Sequence, residues 1–233
     1  MIAVIVNTIA VLIGSTLGIL FRSRLRENLR NAVMRALGLC TALIGISSAI
    51  ETNNILCVIL CMVIGTALGE LIRIDDGIEH AGDFIKGKML KGRAETGSFT
   101  DGFVSASILF CIGSMTIMGS LEAGIRHDYT IIYAKSMMDF VSSMAFGAAM
   151  GFGVTCSALS VLVFQGALTL LAGWVGTALS AEVVTEMSAV GGVILIGMAL
   201  NLIGCVSERI KVANMLPAIF LPILYFPIIG LFG

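Results

Sequence analysis

The chain has 233 residues, of which 58% are hydrophobic and 12% are charged, and its formal net charge is −1. A soluble domain carries about 25% charged and about 45–50% apolar residues, so a soluble fold of this size lacks the interior to bury so much apolar surface. The composition therefore predicts a membrane protein whose solvent is the lipid bilayer. The near-neutral charge gives no argument for nucleic acid as a partner.

About eight apolar spans follow one another, which predicts an all-α fold: a polytopic bundle of transmembrane helices. The spans cover residues 2–21, 34–50, 54–72, 103–121, 130–150, 154–179, 187–205 and 214–232. Their lengths approach the roughly 20 residues that cross about 30 Å of hydrocarbon. Because no Lys or Arg precedes the first span and no A-x-A site follows it, we expect that span to stay in the mature protein.

The loops after spans 1, 3 and 7 contain most of the Lys and Arg residues, and such an excess marks cytoplasmic loops. We therefore predict a multi-pass protein of the plasma membrane with both termini outside and with residues 22–32 and 74–98 cytoplasmic. This orientation requires one crossing per span, and the uncharged loop between spans 5 and 6 supports neither side. Residues 74–98 have a helical apolar stripe, which predicts an amphipathic linker between two halves, with regulation as the alternative role.

The two ends of the chain resemble each other weakly, which predicts repeats at residues 2–72 and 154–232 around central spans at 103–150. The aligned positions are Gly18 with Gly176, Asn7 with Gln165, and Leu-Ile-Gly at 43–45 with 195–197. Five crossings separate the starts of the repeats, and an odd number inverts one relative to the other. Inverted repeats are a common architecture of secondary transporters, although apolar residues also match by chance between any two membrane helices.

Lys135 and Asp139 lie four residues apart in span 5 and share a helix face with Ser142 and Ser143. A charge at bilayer depth costs about 2.5–3.5 kcal/mol on insertion scales, so a chain that carries one normally uses it or pairs it. We predict that Asp139 is an ion or proton site and that Lys135 faces the outer mouth. In that case Asp139→Asn abolishes transport at nearly unchanged stability; the alternative is an inert internal ion pair.

Span 4 contains the stretch GSMTIMGS, whose glycines and hydroxyls predict a broken membrane helix. Ser114 and Thr116 would then complete the coordination shell at Asp139; close helix packing is the alternative explanation. Asn7 and Gln165 are isolated amides in apolar spans, and the proposed repeat makes them symmetry mates at the same site. Their plain alternative role is hydrogen bonding between helices.

No H-E-x-x-H, G-x-S-x-G or Walker A motif occurs in the sequence, so we expect no enzyme activity and no cofactor. The six cysteines form no C-x-x-C motif, and methionine is commonly an adaptable packing residue, so we predict no metal site. Glu186 precedes span 7, where we expect it to cap the helix or to lie at the surface.

Four stretches, at residues 135–154, 164–173, 186–204 and 209–218, resemble a prokaryotic multi-pass family, domain of unknown function 554. The opening segment and the stretch RALGLCTALIG fit as well, so the resemblance covers nearly the whole chain. It implies a bacterial or archaeal inner-membrane protein. It implies no activity, substrate or functional residue.

The leading hypothesis is a secondary transporter of a small solute or ion, with H⁺ or Na⁺ as the coupling ion and a polar site formed by spans 4 and 5 at midplane. The runner-up is an ion channel or passive pore, and a third class is a non-transporting membrane scaffold or sensor. The expected partners are the lipid bilayer and the transported solute, and a homo-oligomer is left open.

Overall fold

The computed structural model describes residues 1–22, 27–77, 80, 99–111, 114–172 and 180–229. Within these residues the chain is helical and has no β-strand, so the predicted all-α class is confirmed. In chain order the elements are α1 (Ile2–Arg22), α2 (Glu27–Ala49), α3 (Ile55–Ile72), α4 (Phe99–Cys111), α5 (Ser114–Ile125), α6 (Thr130–Met150), α7 (Phe152–Leu170), α8 (Ala181–Ile203), a 3₁₀ helix (Val212–Phe220) and α9 (Pro222–Ile229).

Six helical segments of the described chain are long and apolar enough to cross a membrane. They are α1, Asn31–Ala49 of α2, α3, α7, α8 and Val212–Ile229. α4 and α5 add a seventh if this pair, bent by 56°, forms one span. α6 is 21 residues long but is less apolar, because it contains Lys135 and Asp139. The chain is thus a multi-pass helical membrane protein, and the count of eight spans stays a prediction.

Local signals fix where several helices begin and end. Ser180 caps α8 by accepting a hydrogen bond from the Val183 amide, and Gly204 ends this helix with a φ of 79°. The helix therefore begins six residues before the predicted start at 187 and includes Glu186. α6 begins after Asp128, whose carboxylate accepts bonds from the amide and hydroxyl of Thr130; these bonds lower the pKa of Asp128.

The last apolar segment departs from a regular α-helix. It begins as a 3₁₀ helix, Val212–Phe220, and continues as the short α9, Pro222–Ile229. All three prolines of the chain, at 217, 222 and 227, lie in this segment. Each lacks the N–H that an α-helix requires, so regular i to i−4 bonding is interrupted every five residues.

The helices pack as pairs whose directions follow from the residues that meet. α1 runs parallel to α6, and α4 runs parallel to α7. In each pair, residues near the start of one helix contact residues near the start of the other, and residues further along contact each other in the same order. α7 is antiparallel to α6, which it follows after a turn at Gly151. α2 is antiparallel to α8, and α3 is antiparallel to the last segment. The contacts that define these directions are Asn7 with Asp139, Ser15 with Gly147, Phe99 with Gly153, Ser107 with Ser160, Gly38 with Ile203, Gly45 with Gly192, Gly65 with Ala218 and Gly69 with Asn214.

The predicted linker at 74–98 lies outside the described residues, apart from 74–77 and 80. Asp75 corrects one expectation for this segment, because it is only 2% exposed and does not lie on a polar surface. Its amide donates to Asn214 Oδ1 across 2.7 Å, and its carboxylate pairs with Arg209 at 3.5 Å. These contacts fasten the end of α3 to the last segment.

Candidate functional site

Lys135 and Asp139 form an ion pair inside the helix bundle. One helical turn of α6 separates them, which is the spacing at which side chains meet on one face. The ammonium nitrogen lies 2.8 Å from Oδ1 and 2.6 Å from Oδ2 of the carboxylate. Each side chain is only 8% exposed, so the pair is held away from the surface of the bundle.

Two amides from other helices extend the ion pair into a network. Asn7 of α1 donates one amide hydrogen to Asp139 Oδ2 across 3.0 Å and another to Gln165 Oε1 of α7 across 3.1 Å. Both amide side chains are fully buried. The network therefore connects three helices, and we call its four residues, Lys135, Asp139, Asn7 and Gln165, the polar cluster.

Small residues bring Asn7 within reach of Asp139. A methyl group at Gly14 would collide with the carbonyl of Phe140, and one at Gly147 would lie 2.5 Å from the carbonyl of Ser15. α1 and α6 thus approach until backbone touches backbone, as small residues permit between membrane helices. A short amide side chain on α1 can then reach the carboxylate.

The polar cluster has unused hydrogen-bonding capacity. Asn7 Oδ1 and Gln165 Nε2 are buried and have no partner among the described residues, and Thr169 Oγ1, one turn beyond Gln165, has none either. Buried polar groups are normally hydrogen-bonded, so an unpaired acceptor and an unpaired donor in the same cluster as an ion pair are unusual. The cluster can exchange a proton at its carboxylate and can hydrogen-bond a small polar species.

The other predicted site residues are arranged differently. The Thr116 hydroxyl donates to the carbonyl of Phe110 across 3.1 Å, and Ser143 donates to the carbonyl of Phe140 across 3.0 Å. Ser142 is half-buried, and the side chain of Ser114 lies outside the described part. The structure thus joins four predicted residues in the polar cluster, and ligation by the hydroxyls stays a prediction.

The bend between α4 and α5 explains the bond made by Thr116. The two helices meet at an angle of 56°, so carbonyl groups at the end of α4 lose their regular partners. Thr116 supplies a donor to one of these carbonyls from the following helix. Residues 114–120 of the stretch GSMTIMGS lie within α5, so the prediction that this composition breaks a membrane helix stays a prediction.

Because a carboxylate that faces lipid is costly, the sequence also predicts that Asp139 faces a polar cavity inside the bundle. A cavity of about 470 Å³ in the described chain lies among Asp101, Ser105, Met150, Asn201 and Arg209, and neither Lys135 nor Asp139 lines it. A cavity at the ion pair stays a prediction. In this conformation the direct contact between the two charges of the ion pair satisfies both.

Glu186 is a buried carboxylate, although its place before span 7 predicts a helix cap or a surface position. It is fully buried in α8 and accepts bonds from the Thr52 hydroxyl at 2.6 Å, the Asn53 amide at 2.8 Å and the Asn54 amide at 3.0 Å. It thereby anchors the turn between α2 and α3. No local pattern around Glu186 indicates this role, because its donors lie more than 130 residues away in the sequence.

Long apolar helices packed around buried charges and amides define a polytopic α-helical membrane protein. A family model described as "Protein of unknown function (DUF554)" matches residues 2–227, and the chain belongs to this family. It is 26% identical to "Uncharacterized membrane protein YdfK" of Bacillus subtilis (strain 168), over 100% of this chain and 99% of the relative. It is 29% identical to "Uncharacterized protein YqgA" of Escherichia coli (strain K12), over 93% and 92% of the two chains. No solved structure gives a significant match.

Proposed function

We propose that the protein is a secondary transporter, and not an enzyme, that moves a small solute or ion across the prokaryotic plasma membrane. The polar cluster is its coupling site, where Asp139 exchanges a proton or binds a cation. Both termini lie outside, and residues 22–32 and 74–98 lie in the cytoplasm. A channel would use the same residues without a coupling ion.

The unpaired amide atoms beside the ion pair carry this proposal. A buried ion pair with a purely structural role stabilises the fold most when every neighbouring polar group has a hydrogen-bond partner, because a buried network with missing partners is costly. Here Asn7 Oδ1 and Gln165 Nε2 have no partner in the described part of the chain and belong to the same cluster as a buried Lys–Asp pair. A site that takes up and releases a small polar species needs such spare donors and acceptors.

The helix directions support the proposed transporter architecture. The parallel and antiparallel pairs agree with eight alternating crossings, in which α6 crosses in the same direction as α1. The helices that the sequence repeat equates are antiparallel: α1 with α7, α2 with α8, and α3 with the last segment. An inverted repeat requires these opposite directions. Transporters built from inverted repeats bind their substrate and coupling ion at the interface between the two halves.

Flux measurements on reconstituted protein test the proposal. Liposomes containing the purified chain and the trapped pH dye pyranine are exposed to Na⁺, K⁺ and a panel of small polar solutes. We expect at least one addition to drive saturable proton movement or a counter-flow of the added species. The Asp139→Asn variant and the double variant Lys135→Met with Asp139→Asn should both lose this flux.

The double variant keeps the test informative, because it removes both charges and leaves no unpaired Lys135 in the bundle. The matched control is Glu122→Gln, which removes the carboxylate charge from the i, i+4 pair with the exposed Arg126 and should leave the flux unchanged. If the folded protein moves nothing beyond empty liposomes, or if the double variant transports at the full rate, the coupling role of the polar cluster is wrong.

A further inference from the structure

A cavity of about 470 Å³ opens at one end of the bundle, separate from the polar cluster. It lies where α4 begins and where α6 and α8 end, with the chain between α8 and the 3₁₀ helix at its rim. Its volume falls in the range of about 300–1,000 Å³ that is typical of small-molecule sites. In the proposed topology this end faces the cytoplasm.

The cavity is amphipathic. Its inner wall contains side chains that are at most 6% exposed, namely Val104, Met150, Met198 and Val212. Its mouth contains one negative and one positive side chain. Asp101 and Arg209 form an ion pair there at 2.9 Å, and their side chains are 40% and 35% exposed. A ligand with a charged head and an apolar tail matches this division.

Arg209 has one fixed partner and one exchangeable partner. Asp75, at 3.5 Å, has a side chain that is only 3% exposed, whereas Asp101 is far more accessible. The guanidinium group offers five N–H donors and suits binding of a second carboxylate. Arg209 can therefore keep Asp75 while a ligand carboxylate replaces Asp101, which then receives a ligand ammonium group.

Arg209 is also held in place in the absence of a ligand. Asn201 of α8 donates to the Ile210 carbonyl across 2.8 Å and accepts from the Ile210 amide across 3.0 Å. This two-way bond fixes the backbone next to Arg209. A preorganised charge loses less freedom when it binds a ligand.

We propose that this cavity binds an α-amino-acid zwitterion with an apolar side chain. The ammonium group faces Asp101, the carboxylate faces Arg209, and the side chain lies against Met150 and Met198. The ammonium and carboxylate groups of an α-amino acid are adjacent, and so are Asp101 and Arg209 at the mouth. Each ligand charge therefore lies next to a side chain of opposite sign. Methionine side chains adapt to apolar groups of different shape.

The inference rests on the proposed function, in which this cavity is the cytoplasmic vestibule for the transported solute. Ala149 lines the cavity and lies ten residues after Asp139 in α6, about 15 Å along the helix. Phe110 and Phe146 belong to the buried cluster that includes Met150. The apolar cluster therefore separates the vestibule from the ion pair in this conformation.

Binding to the purified full-length chain in detergent tests the assignment. Leucine, valine, methionine, alanine and phenylalanine are titrated by calorimetry and by thermal shift. The single-charge analogues of leucine are 4-methylpentanoate, without the ammonium group, and 3-methylbutylamine, without the carboxylate. We expect at least one of the amino acids to bind and each analogue to bind at least tenfold more weakly than leucine or its best homologue.

Variants distinguish the two charged contacts. Arg209→Gln and Asp101→Asn should each weaken amino-acid binding at least tenfold, whereas Lys211→Gln, which alters only the exposed pair with Asp76, should not. Equal binding of the carboxylate or the amine, or no binding of any amino acid, would overturn the assignment. If the liposomes show flux but no amino acid binds, only the assignment of the vestibule is wrong. If an amino acid binds but the liposomes show no flux, the proposed transport is wrong.

Discussion

The Nδ2 atom of Asn7 lies 3.0 Å from the Oδ2 atom of Asp139, although 132 positions separate the two residues in the chain. The contact joins the first helix to α6, which contains Lys135 and Asp139. Asn7 donates its second amide hydrogen to Gln165, so this one side chain forms hydrogen bonds with two partners. Loss of Asn7 should therefore affect more than one helix interface.

A double-mutant cycle measures the bond between the two amides. Asn7→Ala, Gln165→Ala and the combined variant should show a coupling free energy of about 0.6–1.7 kcal/mol, the range for hydrogen bonds between membrane helices. Unfolding in mixed micelles gives the free energies. A control cycle of Asn7→Ala with Thr16→Ala should be additive, because Thr16 bonds only within α1. Additivity in the first cycle would contradict the observed bond.

Neutralising one partner of the ion pair should destabilise the fold more than neutralising both. Asp139→Asn leaves Lys135 buried without its carboxylate, and breaking a buried pair in this way costs about 3–5 kcal/mol. The double variant Lys135→Met with Asp139→Asn should cost less, since it leaves no unpaired charge and asparagine at this position can still accept a hydrogen bond from Asn7. Thermal unfolding in detergent compares them, and a single variant as stable as wild type would disprove the argument.

A larger residue at Gly18 should separate α1 from α6. A Cβ atom there would collide with the carbonyl of Met144, so Gly18→Ala should cost about 1–3 kcal/mol of unfolding free energy. Gly197→Ala is the matched control, because its nearest neighbour would be Val212 Cγ1 at an ordinary 3.5 Å. Equal melting temperatures for the two variants would show that the close contact is unimportant.

Glu186→Gln should loosen the turn between α2 and α3. Glutamine has one carbonyl oxygen where the carboxylate has two acceptors, so at least one bond to the turn is lost, at about 1.5–3 kcal/mol for a charged acceptor. Glu182→Gln, one turn earlier and exposed, is the control. Hydrogen exchange at the Asn53 and Asn54 amides should accelerate in the Glu186 variant alone. Unchanged exchange would argue against the anchor.

The proposed orientation predicts which face of the membrane exposes Cys205. This residue follows α8 and is exposed, and it adjoins the predicted cytoplasmic loop after span 7. With the other cysteines replaced by serine, an impermeant maleimide should label Cys205 in inverted vesicles and not in intact cells. A Glu51→Cys variant without Cys205 should behave in the opposite way, and the reverse pattern would invert the topology.

Much of the polar cluster was accessible from the sequence, because its signals are local or repetitive. The spacing of Lys135 and Asp139 predicts a shared face, and the weak repeat equates Asn7 with Gln165. The direct ion pair changes one expectation: Asp139→Asn now leaves an unpaired Lys135, so unchanged stability is no longer expected. The repeat also predicted that the two amides meet at the site of Asp139. Which atoms form hydrogen bonds was not predictable, since it depends on how closely two helices approach.

Glu186 and Asp75 were misjudged for a common physical reason. Each lies at the edge of an apolar stretch, where a charge normally reaches water, and each is buried by a segment more than 130 residues away. The irregular last segment, Val212–Ile229, is a different case. Its three prolines were visible in the sequence and would have indicated an irregular segment.

The backbone contact between α1 and α6 has a mechanical consequence. With Gly14 and Gly147 pressed against opposing carbonyl groups, neither helix can slide or roll past the other without a collision. The two helices must move as one rigid body that carries the ion pair with it. The hydrogen bond from Asn7 to Gln165 joins this body to α7, so any movement of the body relative to α7 requires that hydrogen bond to break.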